Sequence, residues 1–185
     1  MPRTARLSRD DWAAAALAAL AEGGAGAVAV EPVAARLKAS KSSFYWLFEN
    51  RSALLDAALE LWEREQTERV AARLAEIPDP ADRLRELLRL ALTAGGGDLA
   101  LRLTGETDAA VLPVAARVTR RRLEFVEAAF RDLGMPAEQA GLRASGAYAT
   151  YLGTAALARL GAAPTDTDAY IEDLLTAFMP TGPGR

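Results

Sequence analysis

From Ser8 to Met179 apolar residues return every three or four positions, and nowhere do they alternate over a useful length. A chain patterned in this way buries its apolar surface only by packing helix on helix, so the expected fold is all-α. Cap residues and breakers divide it into nine helices. The first starts after Ser8, with Asp10 and Asp11 in its first turn, and stops at Gly23-Gly24. Short helices follow from Val30 to Leu37 and from Ser40 to about Leu47, and Asn50 caps a long one running from Arg51 to about Leu74. The remaining five are expected at about 81–93, from 98 to just before Pro113, and at 114–133, 137–160 and 166–179, with a disordered tail at 181–185.

The 185 residues suffice for one domain, or one compact domain with a small appended module. Neither cysteine nor histidine occurs. Disulfides, thiolate nucleophiles, imidazole bases and His- or Cys-ligated metals are therefore excluded, and with them a Ser/His/Asp triad. Carboxylate-only and cofactor chemistry stay open to such a composition, but no metal site, no cofactor and no enzymatic activity are expected. The net charge of −3 divides unevenly: residues 1–51 carry seven Arg/Lys against five Asp/Glu, and residues 52–185 carry fifteen against twenty. That asymmetry points to an N-terminal module that meets an anion, joined to an acidic body.

The apolar run Ala13–Ala21 follows Arg3, Arg6 and Arg9, but Asp10 and Asp11 interrupt the pattern of a secretory leader. Residues 144–158 are too few and too small-sided to span a bilayer. The expectation is a cytoplasmic protein without a membrane segment.

Residues 30–48 place two short helices and a three-residue link within nineteen positions, and Ala34, Leu37, Phe44 and Phe48 can close one small core. This is helix-turn-helix spacing, in which the second helix projects its outer face into the major groove. Ser40, Lys41, Ser42, Ser43, Tyr45 and Trp46 are left for that face, with hydroxyls and an amine suited to base edges and phosphates. Five consecutive bulky residues, Phe44 to Phe48, cannot all point inward from one helix, so Tyr45 or Trp46 is expected at the surface.

The run Ser-Lys-x-x-Phe-Tyr-x-x-Phe at residues 40–48 and the Asn-Arg-x-x-Leu-Leu at 50–55 resemble the DNA-binding domain of the TetR family of transcriptional regulators. The resemblance covers residues 8–62, and beyond them only helix number and length agree. It implies a head of three helices that binds double-stranded DNA (1–50), a helical body for ligand binding and dimerisation (51–180), and a homodimer reading a palindromic operator. Transferred by position, Lys41, Ser42 and Ser43 fall where the family reads bases or phosphates, and Tyr45, Trp46 and Arg51 where it grips the backbone. Lys38 stands where the turn usually has Gly, a position that costs about 1 kcal/mol if left-handed and that sets its amine near a phosphate. Ala29, Glu31 and Leu47 also depart from the family pattern, replacing a Ser/Thr cap, a basic contact and a His.

For the body, the resemblance implies a cavity for a small apolar or aromatic effector. Trp62, Leu88, Leu92 and Phe125 are candidates for its walls and Arg102, Glu106 and Tyr148 for its polar anchors. Small residues along 144–157 permit close helix approach, which marks Tyr151, Leu152, Gly153 and Ala156, with Leu174 and Phe178, as candidate dimer contacts. The whole reads as a ligand-responsive regulator, a repressor released by its effector. An all-helical binding protein or enzyme with an inactive head, and a DNA-binding dimer that senses nothing, stay open beside it.

Overall fold

The computed structural model describes residues 7–93, 100, 103 and 107–179. Among them are eight helices and no strand. The first three are α1 (Arg9–Gly23), α2 (Val30–Arg36) and α3 (Lys41–Tyr45). A single rod, α4, comprises Arg51–Glu63, a π-helical turn Arg64–Glu68 and Arg69–Ala75. Then follow α5 (Pro80–Thr93), α6 (Val111–Asp132), α7 (Ala137–Arg159) and α8 (Thr167–Phe178). The helix expected at 98–112 and the tail at 181–185 fall wholly or largely outside the described residues.

Side-chain caps set the starts. Ser8 and Asp11 form a reciprocal capping box, with Asp11 N donating to Ser8 Oγ at 3.1 Å and Ser8 N to Asp11 Oδ2 at 2.8 Å. Ser40 Oγ accepts from Ser43 N, Asn50 Oδ1 from Ala53 N and Asp166 Oδ1 from Ala169 N. One expected boundary is corrected: α6 begins at Val111, and Pro113 lies inside its first turn. A proline there forfeits only an N–H that has no intrahelical acceptor, so it does not end a helix.

The link between α2 and α3 closes as a Schellman turn, with Ala39 N donating to Ala34 O at 2.8 Å and Lys38 N to Ala35 O at 3.1 Å. The same pair of bonds ends α6 and α7, where the left-handed residue is Gly134 or Gly161. At the link it is Lys38, with φ of 51°, the one non-glycine residue of positive φ among those described.

Two apolar clusters hold the molecule together. The first joins Trp12, Leu20, Val33, Phe44 and Phe48 of the N-terminal helices to Leu54, Leu55, Leu59 and Trp62 of α4, and reaches Val111 and Val118 of α6. The second gathers Leu84, Leu88, Phe130, Ala144, Ile171, Leu174 and Leu175 from α5 to α8. The first half of α4 therefore belongs to the core of the N-terminal helices, and its second half reaches into the body.

The π-turn changes the phase of α4. Its buried positions run Leu54, Leu55, Ala58, Leu59 and Trp62, then resume at Thr67 and Leu74 instead of continuing at 65, 66 and 69. Inside this turn Arg64 pairs with Asp10 of α1 at 3.0 Å and with Glu65, in place of the i,i+4 partner Glu60 that α-periodicity suggests.

Candidate functional site

Phe44 of α3 is fully buried, edge-on to Trp12 at 5.4 Å and stacked on Phe48 at 5.4 Å. Anchoring Phe44 turns the opposite face of α3 outward. Tyr45 and Trp46 are 63% and 77% exposed, so both project, and Ser40, Lys41 and Ser42 share that surface. Ser43 is half-buried and its hydroxyl donates to the Ser40 carbonyl at 2.7 Å, which commits it to the turn. Lys38 lies exposed on the adjoining turn.

Arg51 and Arg9, two basic residues expected near DNA, have intramolecular partners. Arg51 donates from Nε to the Val28 carbonyl at 2.6 Å and from Nη2 to the Ala25 carbonyl. Its guanidinium thus ties α4 to the turn before α2, whereas the sequence reading gave it a phosphate. Arg9 lies over the Phe48 ring at 4.7 Å and donates to the Leu47 carbonyl; Arg3 and Arg6 fall outside the described residues.

Glu31, at the start of α2, pairs with Lys41 Nζ. The ammonium holds the Glu31 carboxyl below the usual carboxylate range, and Glu31 raises Lys41 in return. Lys41 therefore presents its charge already answered, a contact that no spacing argument anticipates because the partners are ten residues apart.

The body contains a cavity of about 530 Å³ between the second half of α4, α5, α6 and α7, within the size range of small-molecule sites. Leu88, Phe125 and Tyr148 line it as expected from the sequence, together with Thr67, Val70, Leu84, Leu87 and Ala91. Trp62 does not: it is a buried member of the first cluster, with Arg122 over its ring. Leu92 lines a second, smaller cavity beside α7 and α8, and Arg102 and Glu106 lie outside the described residues. Tyr148 exchanges a hydrogen bond with Thr119 at 3.3 Å.

Tyr151, a candidate dimer residue, lines both cavities, and burial raises its phenol above the ordinary tyrosine value. Leu152 is half-buried against the first cluster, Leu174 is buried in the second, and Phe178 packs edge-on to Phe130 at 6.3 Å. Of these side chains Leu174 is buried within the protomer, and Tyr151, Leu152 and Phe178 are half-buried. Ala156 is half-buried and Gly153 is exposed. The outer face of α7 instead carries Leu142, Leu157 and Leu160, all exposed, with Gly146, Ala149 and Gly153 between them. The helical spacing of those leucines, at 142, 157 and 160, was the signal in the sequence for this face.

Residues 13–58 match the model of the bacterial regulatory proteins of the tetR family. Among solved structures the chain resembles a TetR transcriptional regulator from Legionella pneumophila, at 16% identity and a TM-score of 0.77 over 97% of this chain and 100% of that one. A TetR-family regulator from Agrobacterium tumefaciens is similar at 18% identity and a TM-score of 0.77, covering 93% and 97%. FadR from Bacillus subtilis, solved in complex with stearoyl-CoA, gives 16% identity and a TM-score of 0.70 over 93% and 98%. No curated protein matches the chain. No helix among the described residues is long and apolar enough to cross a membrane.

Proposed function

We propose that the chain, whose residues 13–58 match the model of the bacterial regulatory proteins of the tetR family and which has the fold of such regulators along its length, is a member of that family: a repressor binding a palindromic operator as a homodimer, released by a small apolar or aromatic effector. The observation that carries this reading is continuity. One rod, α4, shares a core with the buried side of α3, whose other side is exposed, at one end and lines the body cavity at the other.

In this reading the reading head is residues 1–50 and the effector-binding body residues 51–180. Lys38, Ser40, Lys41, Ser42, Tyr45 and Trp46 face DNA, with Ser43 and Arg51 holding the turn and rod that carry them. Occupation of the cavity changes the setting of α4, and with it the spacing of the two heads. A mismatch with successive major grooves worth about 1.4 kcal/mol lowers operator affinity tenfold. The dimer forms through the outer face of α7, where small residues between leucines admit a second helix closely, and α8 flanks it. A two-fold axis there sets two recognition helices about 34 Å apart or a multiple of it, the repeat of B-DNA.

The test is selection of bound duplexes from a random DNA library at moderate salt. Enrichment of an inverted repeat is the expected result, with Tyr45→Ala and Lys41→Ala each weakening its binding while leaving fold and dimer intact. Salt-sensitive binding with no enriched sequence would sink the operator reading.

The Glu31 pair yields a second expectation. Glu31→Gln removes an anion from the face that meets phosphate and leaves Lys41 unpaired, so DNA affinity rises at low salt. The plot of log affinity against log salt steepens by about 0.9, one counterion. Fluorescence anisotropy across a salt series measures both.

A further inference from the structure

Among the largely aliphatic and aromatic side chains that line the larger cavity stands a half-buried guanidinium, that of Arg122. Its Nε donates to Thr67 Oγ1 at 3.0 Å, its Nη2 donates to the Gln66 carbonyl at 3.2 Å, and its guanidinium carbon lies 5.2 Å from the centre of the Trp62 ring. The third nitrogen, Nη1, is buried without an acceptor, and so is Gln66 Oε1 without a donor. Both residues are on the cavity wall.

No carboxylate among the described residues pairs with Arg122. Of the acidic groups lining the same cavity, Glu65 is held by Arg64 and Arg69, and Glu124 is exposed at the rim. The other charged lining residue, Arg121, has the same sign as Arg122 and is exposed. A guanidinium half-buried beside an apolar space, with no counter-ion, is a positive charge that the protein leaves for something else to neutralise. The Tyr151 phenol, raised by burial and partly offset by the neighbouring Arg122 guanidinium, stands in the same wall. Rotation of the Gln66 amide about its last bond exchanges the unpaired Oε1 for an N–H2 group, adding another donor.

Resting on the reading of this cavity as the effector site, we infer that the effector is an organic monoanion: an apolar body between α5 and α6, with one acid group seated on Arg122 beside Tyr151 and Gln66. A planar guanidinium binds such a group through two parallel hydrogen bonds, which a neutral molecule of the same shape cannot replace. Arg122 also holds two consecutive residues of the π-turn. An acid on the guanidinium competes with those bonds, so the rod that carries the head senses the charge directly.

The test uses the full-length protein and two fluorescent probes of one skeleton, the anion 8-anilinonaphthalene-1-sulfonate and the neutral N-phenyl-1-naphthylamine. Decanoate and decanol serve as competitors that differ in the same way. The wild type is expected to bind each anion at least about tenfold more tightly than its neutral counterpart. Arg122→Met removes that preference while leaving the neutral affinity in place, and Arg120→Gln, an exposed position on the same helix, changes neither. Should Arg122→Met fold poorly, the wild-type ratio and Arg122→Lys, which keeps the charge but loses the fork, decide the matter. Equal affinity for anion and neutral probe, or a preference that survives Arg122→Met, overturns the anion assignment and leaves the cavity as an effector site. If neither probe nor competitor enters, both readings fall together.

Discussion

Gly153→Arg is expected to turn the proposed dimer into a monomer without unfolding the protomer. A Cβ built on Gly153 meets nothing within 4 Å, so the new side chain has room in the protomer. Replacing a mid-helix glycine also raises the helix propensity of α7, by up to about 1 kcal/mol. The same arginine at the closest approach of two α7 helices would have to bury a charge where only a hydrogen atom now stands. Losing the dimer separates two linked half-site contacts, and affinity for the inverted repeat should fall by about 10²- to 10⁴-fold. Affinity for an isolated half-site should hold. Sedimentation velocity paired with a band-shift titration reads both quantities, and a dimer that persists in the variant would place the interface elsewhere.

Phe44→Ala should remove DNA binding by the opposite route, through the fold. The ring is wholly buried between Trp12 and Phe48, and such a truncation costs about 3–5 kcal/mol, a large share of the roughly 5–15 kcal/mol that holds a domain. Because the first apolar cluster runs from Phe44 through Trp62 to Val118, the loss is expected in the global urea transition, beyond a local loosening of α3. Trp46→Ala is the matched control two positions away. At 77% exposure it should shift stability by less than about 0.5 kcal/mol while weakening DNA binding. Comparable destabilisation by the two variants would mean that the inner and outer faces of α3 are assigned the wrong way round.

The head was the most legible part of the sequence because its signals are local. Ser8, Ser40 and Asn50 cap helices within three residues of themselves, and a run of five bulky residues expected on one short helix must expose part of itself. Lys38 could be singled out because it stands where the resembling family has a glycine, and the structure finds it left-handed there. What could not be read depends on partners distant in the chain. Glu31 and Lys41 meet across the turn, and Arg51 is drawn from DNA to the carbonyls of Ala25 and Val28. In the body, Leu174 and Tyr151 have the apolar character of interface residues, but which apolar face turns inward is decided by the packing of α5 to α8. Periodicity finds the faces of a helix and does not say which neighbour covers each one.

The π-turn also runs against the periodicity argument, since α4 reads as one uninterrupted helix while its buried stripe slips by one residue between Trp62 and Thr67. One residue corresponds to about 100° of rotation about a helix axis. The turn thus behaves as a fixed offset between two dials on one shaft. Forcing Arg64 to Glu68 into an ordinary helix at its present length would turn Val70 and Ala71 away from the cavity side by that angle, with every side chain of the head untouched, whereas deleting one residue there would restore an ordinary helix and keep them facing it. The π conformation of this segment, which takes up one residue more than an α-turn, is therefore part of what aligns the two ends of the molecule.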